Sequence, residues 1–173
     1  MKVKDSTFQL DAFTYHSYPL GAGSSDHVDE EIMDENFNAK IYHLAKYVCQ
    51  NWFTNKLVNF REASSFDDLA LGVWMGETGG AYNSGRNTVT NRFMSAFWYV
   101  DWMAVMAESG HKAFCRQTFV GGNYGLLQVD SNSKKILVNP DFYGALLFKE
   151  LMVGKIYKGN FKEARSNLMS EKF

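Results

Sequence analysis

The chain has 173 residues, 46% of them hydrophobic and 16% aromatic, which suffices for one ordinary domain core and is too short for two. The formal net charge is −1 and no stretch is dense in lysine or arginine, so we predict no nucleic-acid partner. The most apolar run, Phe97 to Ala107, contains Asp101 and is shorter than the ~20 residues that span a bilayer, so we predict no transmembrane helix.

The first half of the chain predicts a strand, an acidic segment and an amphipathic helix. Aromatic and β-branched residues from Phe8 to Tyr18 favour a strand, which Pro19 and the glycines after it end. The segment from Asp26 to Glu35 is acidic, and we interpret it as a solvated loop or a short helix. Apolar residues then recur every three to four positions, which predicts an amphipathic helix. These residues are Phe37, Ile41, Leu44, Val48 and Trp52.

Two further strands and two helices are predicted in the second half. Leu69 to Met75 indicates a buried strand, and Ala113 to Val120 a third strand. A helix from about Asn91 to Glu108 is aromatic on nearly every face, so we expect it to be largely buried. The last helix begins near Asn139-Pro140-Asp141 and runs through Leu151. Strand alternates with helix throughout, which predicts an α/β fold of parallel strands joined by crossover helices.

Glu77 follows the second predicted strand and is the first candidate for a catalytic group. It lies in the stretch Val73-Trp74-Met75-Gly76-Glu77-Thr78-Gly79-Gly80-Ala81-Tyr82, where glycines leave the approach to the carboxylate open. Such a carboxylate suits the nucleophile of a sugar-cleaving enzyme. A salt-bridge partner or a helix-capping group would give the same local pattern, so both interpretations stay open.

The two cysteines do not indicate a metal site. Cys49 and Cys115 have neither a CxxC spacing nor a histidine pattern that suits zinc. We therefore expect two buried free thiols, and we predict no metal and no cofactor.

Several motifs follow one another along the chain. They are Tyr15-His16-Ser17-Tyr18-Pro19-Leu20-Gly21, Trp74-Met75-Gly76-Glu77-Thr78-Gly79-Gly80-Ala81-Tyr82-Asn83-Ser84-Gly85, Cys115-Arg116-Gln117 with Gly121-Gly122-Asn123-Tyr124-Gly125-Leu126-Leu127, and Asn139-Pro140-Asp141-Phe142-Tyr143. Together they resemble the heparanase-like proteins of glycoside hydrolase family 79, most closely the plant members. The resemblance extends over roughly residues 8–156 and is weakest over residues 26–68.

The resemblance implies a fold and a division of the chain. Family members build a (β/α)₈ barrel plus a β-sandwich, with catalytic residues at the C-terminal ends of the barrel strands. On this basis residues 1–156 would be the C-terminal part of the barrel, about its last three β/α units with strands six to eight. Residues 157–173 would be a polar tail where the sandwich would begin.

The resemblance also implies roles for site residues. Glu77 would be the nucleophile of a retaining mechanism, which needs a second carboxyl group ~5–5.5 Å away to protonate the leaving oxygen. His16 and Tyr18 would contact the sugar and support the nucleophile. Gln117 would line the site, and the Gly122-Asn123-Tyr124 loop would bind a uronate carboxylate through backbone N–H groups and the tyrosine hydroxyl.

Structural roles stay open for the same side chains. Tyr18 and Tyr124 could be half-buried aromatic residues with a solvated hydroxyl, and His16 a strand-end histidine with satisfied hydrogen bonds. Arg116 should point to the opposite face of its strand from Gln117, so we interpret it as a structural ion-pair partner.

Aromatic residues of the long helix are assigned to the core. Trp98, Trp102 and the methionines nearby are interpreted as core packing and not as a platform for sugars.

The predicted function is that of a fragment of a retaining β-glucuronidase that acts on glucuronide linkages in glycans. The acid/base glutamate of the family lies in an Asn-Glu pair, and no Asn-Glu dipeptide occurs in this sequence. We therefore expect little or no turnover by these residues alone. The alternative is a catalytically inactive truncated product, at most a carbohydrate-binding or interaction remnant. The resemblance implies a secreted, lysosomal, vacuolar or membrane-associated location.

Overall fold

A computed structural model describes residues 12–47 and 72–154, which form a mixed α/β structure. No helix in this part of the chain is long and apolar enough to cross a membrane. The elements in chain order are β1 (Ala12–Ser17), α1 (Val28–Glu31), α2 (Glu35–Tyr47), β2 (Gly72–Thr78), α3 (Phe93–Glu108), β3 (Ala113–Arg116), β4 (Leu127–Val129), β5 (Ile136–Val138) and α4 (Pro140–Leu151).

Three strands form one parallel sheet in the order β1-β2-β3, which confirms the predicted parallel arrangement. The helix α3 connects β2 to β3, and α1 and α2 lie between β1 and β2 in the chain. Because neighbouring strands run the same way, their C-terminal ends lie at one edge of the sheet. Polar and ionisable residues at the C-terminal ends of these strands are therefore brought together.

Strand ends differ from their predicted positions. The strand expected to end at Met75 continues to Thr78, because Ser17 of β1 still pairs with Thr78. Its predicted first residues, 69–71, lie outside the described residues. The strand expected to reach Val120 ends at Arg116, since its partner strand β2 ends at Thr78 and offers no further backbone to pair with.

The three elements predicted for the N-terminal half are found within the described residues. The first strand is found as β1, and residues 8–11 of the prediction lie outside the described residues. The acidic segment contains the short helix α1, whose Val28 and the following Ile32 are buried in the core. The amphipathic helix is α2, which is described as far as Tyr47; the rest of the prediction, through Trp52, lies beyond it.

The core lies between the sheet and α3. Met75 from β2 packs in one cluster with the buried aromatic and apolar side chains of α3. The rings of Trp98 and Trp102 stack with centroids 6.0 Å apart. Both tryptophans are buried, so their assignment to core packing is confirmed.

One face of α3 is exposed, contrary to the expectation of a largely buried helix. Phe93 and Phe97 are 66% and 63% exposed, and their rings meet edge to face with centroids 5.0 Å apart. A groove of ≈ 430 Å³ runs between this face and α4, where Tyr143 and Leu147 contribute to its lining. Apolar composition all round the helix therefore does not imply burial all round it.

The sheet face that points away from α3 is also exposed. Trp74 and Cys115 lie on this face and both side chains are exposed. The prediction of two buried thiols is thus wrong for Cys115, because burial on the sheet is confined to the alternate residues that face the helices. Cys49 lies outside the described residues.

A two-stranded antiparallel sheet formed by β4 and β5 was not predicted. The turn between them is held by the Asp130 carboxylate, which accepts hydrogen bonds from the backbone N–H groups of Asn132 at 2.7 Å and Ser133 at 2.9 Å. These bonds lower the pKa of Asp130. The last helix, α4, begins at Pro140 and ends at Leu151, as the sequence predicted.

A half-buried histidine predicts how stability depends on pH. The Nδ1 of His111 is 3.0 Å from the carbonyl oxygen of Met106, which can only accept, so Nδ1 carries the proton. Nε2 then accepts a hydrogen bond from the Tyr15 hydroxyl at 2.8 Å. Burial lowers the pKa of His111 below its ordinary value of 6.5. Because the unfolded chain binds the proton more tightly, the free energy of unfolding should fall as the pH drops below 6.5.

Urea unfolding of the wild type and of His111→Gln at pH 8 and pH 5.5 measures this effect. The variant should lose less stability than the wild type between the two pH values. His27→Gln serves as the matched control, because His27 is an exposed histidine on the surface. An equal pH dependence in wild type and His111→Gln would contradict the assignment.

Candidate active site

The site lies at the C-terminal edge of the parallel sheet. The register pairs His16 of β1 with Glu77 of β2. On the other side of β2, Thr78 pairs with Arg116, and the Thr78 carbonyl accepts a hydrogen bond from the Gln117 N–H at 2.8 Å. The three strand ends thus bring the backbone of Gln117 beside that of Thr78, the residue that follows Glu77, as expected for parallel strands.

Glu77 carries the contacts that define the site. The Tyr18 hydroxyl donates a hydrogen bond of 2.5 Å to Oε1 of Glu77. The Nδ1 atom of His16 lies 3.7 Å from Oε2, close enough for an ion pair when the imidazole is protonated. The side chains of Glu77 and His16 remain 38% and 61% exposed. The carboxylate is therefore held by a phenol and yet open to a ligand.

Tyr18 is set up as a hydrogen-bond donor. Partial burial, followed by its hydrogen bond and the charge of Glu77, raises the pKa of Tyr18 above its ordinary value of 10.0. The phenol is thus protonated throughout the physiological pH range. A side chain at position 79 would bring its Cβ within 3.2 Å of the Tyr18 ring and 3.1 Å of the Gln117 carbonyl oxygen. Gly79 permits this close approach.

The loop that contains Gly122, Asn123 and Tyr124 is tied down by hydrogen bonds on its backbone. The Asn123 N–H donates to the Ser84 carbonyl at 2.7 Å, and the Asn123 carbonyl accepts from the Thr90 hydroxyl at 2.7 Å. Tyr124 is buried, and a Cβ at position 122 would lie 2.9 Å from its ring. These bonds fix the loop against the segment that contains Ser84 and Thr90.

These bonds change which backbone donors the loop can offer. Because the Asn123 N–H is already used, it is not available to a uronate carboxylate. The N–H groups of Gly122 and Tyr124 have no backbone acceptor within the part of the chain that the structure describes. Of the three predicted loop residues, these two retain the capacity to donate.

Arg116 forms the buried ion pair that the sequence predicted for it. Its Nη2 atom is 2.6 Å from Oδ2 of Asp141, and the two side chains are 6% and 1% exposed. Nη2 also donates to the Tyr124 carbonyl at 2.8 Å, and the guanidinium lies 4.6 Å from the centroid of the Tyr99 ring. Burial raises the pKa of Asp141 to about 6, although Arg116 and the Ser95 hydroxyl oppose this shift. The pair anchors the loop to α4.

Sequence reasoning gave no role to Thr78 or Asp141. The Thr78 hydroxyl donates to the Ser17 carbonyl at 2.7 Å and accepts from the indole N–H of Trp102 at 3.1 Å. Strand alternation offered a signal, because the residue after Glu77 faces the opposite side of the sheet, where a hydroxyl must find partners. Asp141 offered no comparable signal, since its partner Arg116 is 25 positions away.

The arrangement of these side chains is typical of an enzyme active site. A carboxylate, a phenol and an imidazole meet at the C-terminal edge of a parallel α/β sheet, where enzymes of this architecture carry reacting groups. No group of three or more metal-ligating side chains occurs in the described ranges, 12–47 and 72–154.

The chain belongs to glycosyl hydrolase family 79. The model of that family's N-terminal domain matches residues 2–104, more than half of the chain. Heparanase-like protein 3 from Arabidopsis thaliana is 38% identical over 146 residues, which are 83% of this chain and 24% of the relative. Baicalin-beta-D-glucuronidase from Scutellaria baicalensis is 36% identical over 154 residues, 89% of this chain and 26% of the relative. Mouse heparanase is 28% identical over 157 residues, which are 88% of this chain and 25% of the relative.

The chain therefore spans about a quarter of the length of these curated relatives. The resemblance seen in the sequence motifs is confirmed at the level of the family.

Proposed function

We propose that this chain contributes the nucleophile half of a retaining β-glucuronidase site, with Glu77 as the nucleophile. The observation that carries the proposal is the hydrogen bond of 2.5 Å from Tyr18 to Oε1 of a carboxylate that stays open to solvent. With Oε1 engaged, Oε2 is the oxygen that would attack the anomeric carbon. His16 beside Oε2 would contact the sugar and supply positive charge when protonated.

The proposed substrate class is a glucuronide. The name of one relative supports it, since that relative is a baicalin-beta-D-glucuronidase. The N–H groups of Gly122 and Tyr124, which have no backbone acceptor among the described residues, and the tyrosine hydroxyl are neutral donors suited to a carboxylate. Gln117 would line the same side of the site, because its backbone joins the end of β2.

The proposed fold is part of a (β/α)₈ barrel, with β1, β2 and β3 as its sixth to eighth strands. The parallel order and the exposed sheet face with Trp74 and Cys115 support this, because parallel sheets are normally covered on both faces. In this proposal residues 1–156 belong to the barrel and residues 157–173 to a tail where the sandwich would begin. No acid/base residue is assigned, since the sequence has no Asn-Glu pair.

Covalent labelling tests the proposal without the acid/base group. A 2-deoxy-2-fluoro-glucuronyl fluoride carries its own leaving group: the Glu77 carboxylate forms a bond to the anomeric carbon while fluoride departs. Purified protein with a folded circular dichroism spectrum should gain the mass of one fluoroglucuronyl group. The glucosyl analogue, which lacks the carboxylate, should label at least about tenfold more slowly.

Two results would overturn parts of the proposal. Folded protein that gains no mass would leave the alternative, an inactive chain that at most binds carbohydrate. Equal rates with the two reagents would retain the nucleophile and remove the preference for uronates.

A further inference from the structure

We propose that Thr78 is a positioning residue that holds the end of β1 against the end of β2, and so places Tyr18 on Glu77. The proposal rests on the proposed function of Glu77, because it concerns how that carboxylate is oriented. Thr78 lies next to Glu77 in the chain but on the opposite, buried face of the sheet.

The Thr78 hydroxyl joins two elements by well-formed hydrogen bonds. It donates to the Ser17 carbonyl at 2.7 Å and accepts from the Trp102 indole at 3.1 Å. The side chain is fully buried, so water does not compete for these bonds. Trp102 of the core helix α3 thereby orients the Thr78 hydroxyl, which donates its hydrogen bond to Ser17, the last residue of β1.

This side-chain bond lies where the backbone ladder is irregular. The β1–β2 register shifts between Tyr15 and His16, so that Gly76 has no partner in β1. The β2–β3 register shifts between Met75 and Thr78. Beyond its shift the β1–β2 ladder has two residue pairs, His16–Glu77 and Ser17–Thr78, and the Thr78 hydroxyl adds a side-chain bond at the second of them. Beyond the shifts, Thr78 bonds to β1 through its hydroxyl and to Gln117 through its carbonyl.

The bond to Ser17 acts on both side chains that contact Glu77. Ser17 stands between His16 and Tyr18 in the chain, and Thr78 directly follows Glu77. A displacement of Ser17 relative to Thr78 would shift both His16 and Tyr18 relative to Glu77. The bond of 2.5 Å between Tyr18 and Glu77 tolerates little displacement, because hydrogen-bond strength falls steeply with distance and angle.

Two substitutions separate the hydroxyl from the shape of the side chain. Thr78→Val keeps the branched shape and removes the hydroxyl, whereas Thr78→Ser keeps the hydroxyl and removes the methyl group. We expect Thr78→Val to lower the rate constant of labelling by the fluoroglucuronyl reagent about 10- to 100-fold, and Thr78→Ser by no more than about threefold. The reagent concentration at half-maximal rate should change less than the rate constant.

A second readout does not depend on catalysis. Protein with ¹³Cζ-labelled tyrosine gives a Tyr18 resonance, assigned with Tyr18→Phe, that responds to the hydrogen bond with Glu77. Thr78→Val should shift this resonance in the same direction as Glu77→Ala, which removes the acceptor, and Thr78→Ser should leave it near the wild-type position. The Tyr18 resonance can be measured even if the fluoroglucuronyl fluoride does not modify the wild-type protein. Failure of the proposed function and failure of this inference are therefore distinguishable.

The outcomes decide the role of Thr78. Wild-type labelling and a wild-type Tyr18 resonance in Thr78→Val would overturn it, and so would equal losses in Thr78→Val and Thr78→Ser. If Thr78→Val does not fold, Thr78→Cys takes its place, because a thiol of similar size donates only weakly. It should show the same shift of the Tyr18 resonance.

Discussion

Glu77→Gln is expected to reduce covalent labelling by the fluoroglucuronyl fluoride by at least about 10³-fold, because an amide oxygen does not replace a carboxylate as a nucleophile. Glutamine has the same shape, and its amide oxygen can still accept the hydrogen bond from Tyr18. The loss is therefore expected without a change in the circular dichroism spectrum. Intact mass recorded over time gives the labelling rate.

The matched control is Glu30→Gln. Glu30 lies on α1 with a side chain that is mostly exposed, and it also has a histidine neighbour, His27. This variant should be labelled at the wild-type rate. A similar loss in both variants would point to a general effect of charge, and wild-type labelling of Glu77→Gln would show that another group reacts.

Replacing Asp141 by alanine is expected to lower the free energy of unfolding by about 3–5 kcal/mol, because it leaves the Arg116 guanidinium buried without its counter-charge. The two side chains are almost completely buried and joined at 2.6 Å. Urea unfolding followed by circular dichroism and tryptophan fluorescence measures the change, and agreement of the two signals verifies a single transition.

The double variant Arg116→Met/Asp141→Leu tests the reason for that loss. Within the described residues, the Arg116 Nε and Nη1 atoms and the Asp141 Oδ1 atom are buried and have no hydrogen-bond partner. The pair thus bears a desolvation cost that its hydrogen bonds offset only in part. Removing both charges should cost less than removing either one alone. Additive losses, or a loss below about 1 kcal/mol for Asp141→Ala, would contradict this account.

The arrangement of the parallel strands was predictable, but the ends of the strands were not. Alternating strands and helices predicted the parallel sheet, and apolar residues marked where each strand runs. The end of β2 escaped prediction because it depends on a partner: Thr78 is in the strand since Ser17 pairs with it across 61 positions of sequence. A glycine such as Gly76 reads as a strand terminator, although here it forms an irregularity within the strand.

The exposed face of α3 shows why amino-acid composition alone gave a wrong prediction of burial. The apolar side chains of α3 predicted a largely buried helix, but composition does not reveal which faces have a packing partner. Phe97 and Trp98 are adjacent in the sequence, yet Phe97 is exposed and Trp98 is buried.

The β4–β5 hairpin was not predicted, although the sequence has a local signal for it. Asp130 followed by small polar residues is typical of a turn in which the carboxylate accepts hydrogen bonds from backbone N–H groups.

The candidate site was predicted at the level of residue types and only partly at the level of contacts. The motifs placed His16, Tyr18 and Glu77 at strand ends, and the parallel sheet explains why these ends meet. That the Asn123 N–H is already engaged by Ser84 depends on a contact between loops 39 residues apart. Such contacts follow from the packed structure and not from local sequence, so the available donors of the loop required the structure.

Locating the label within the chain shows which carboxylate is the nucleophile. Cleavage after Arg61 and Arg86 releases residues 62–86, a peptide that contains Glu62, Asp67 and Asp68 besides Glu77. Fragment masses from the labelled peptide distinguish these carboxylates. We expect the fluoroglucuronyl group on Glu77 alone, in protein with a folded circular dichroism spectrum. A label on any other residue, or no label on folded protein, would contradict the assignment of Glu77 as the nucleophile.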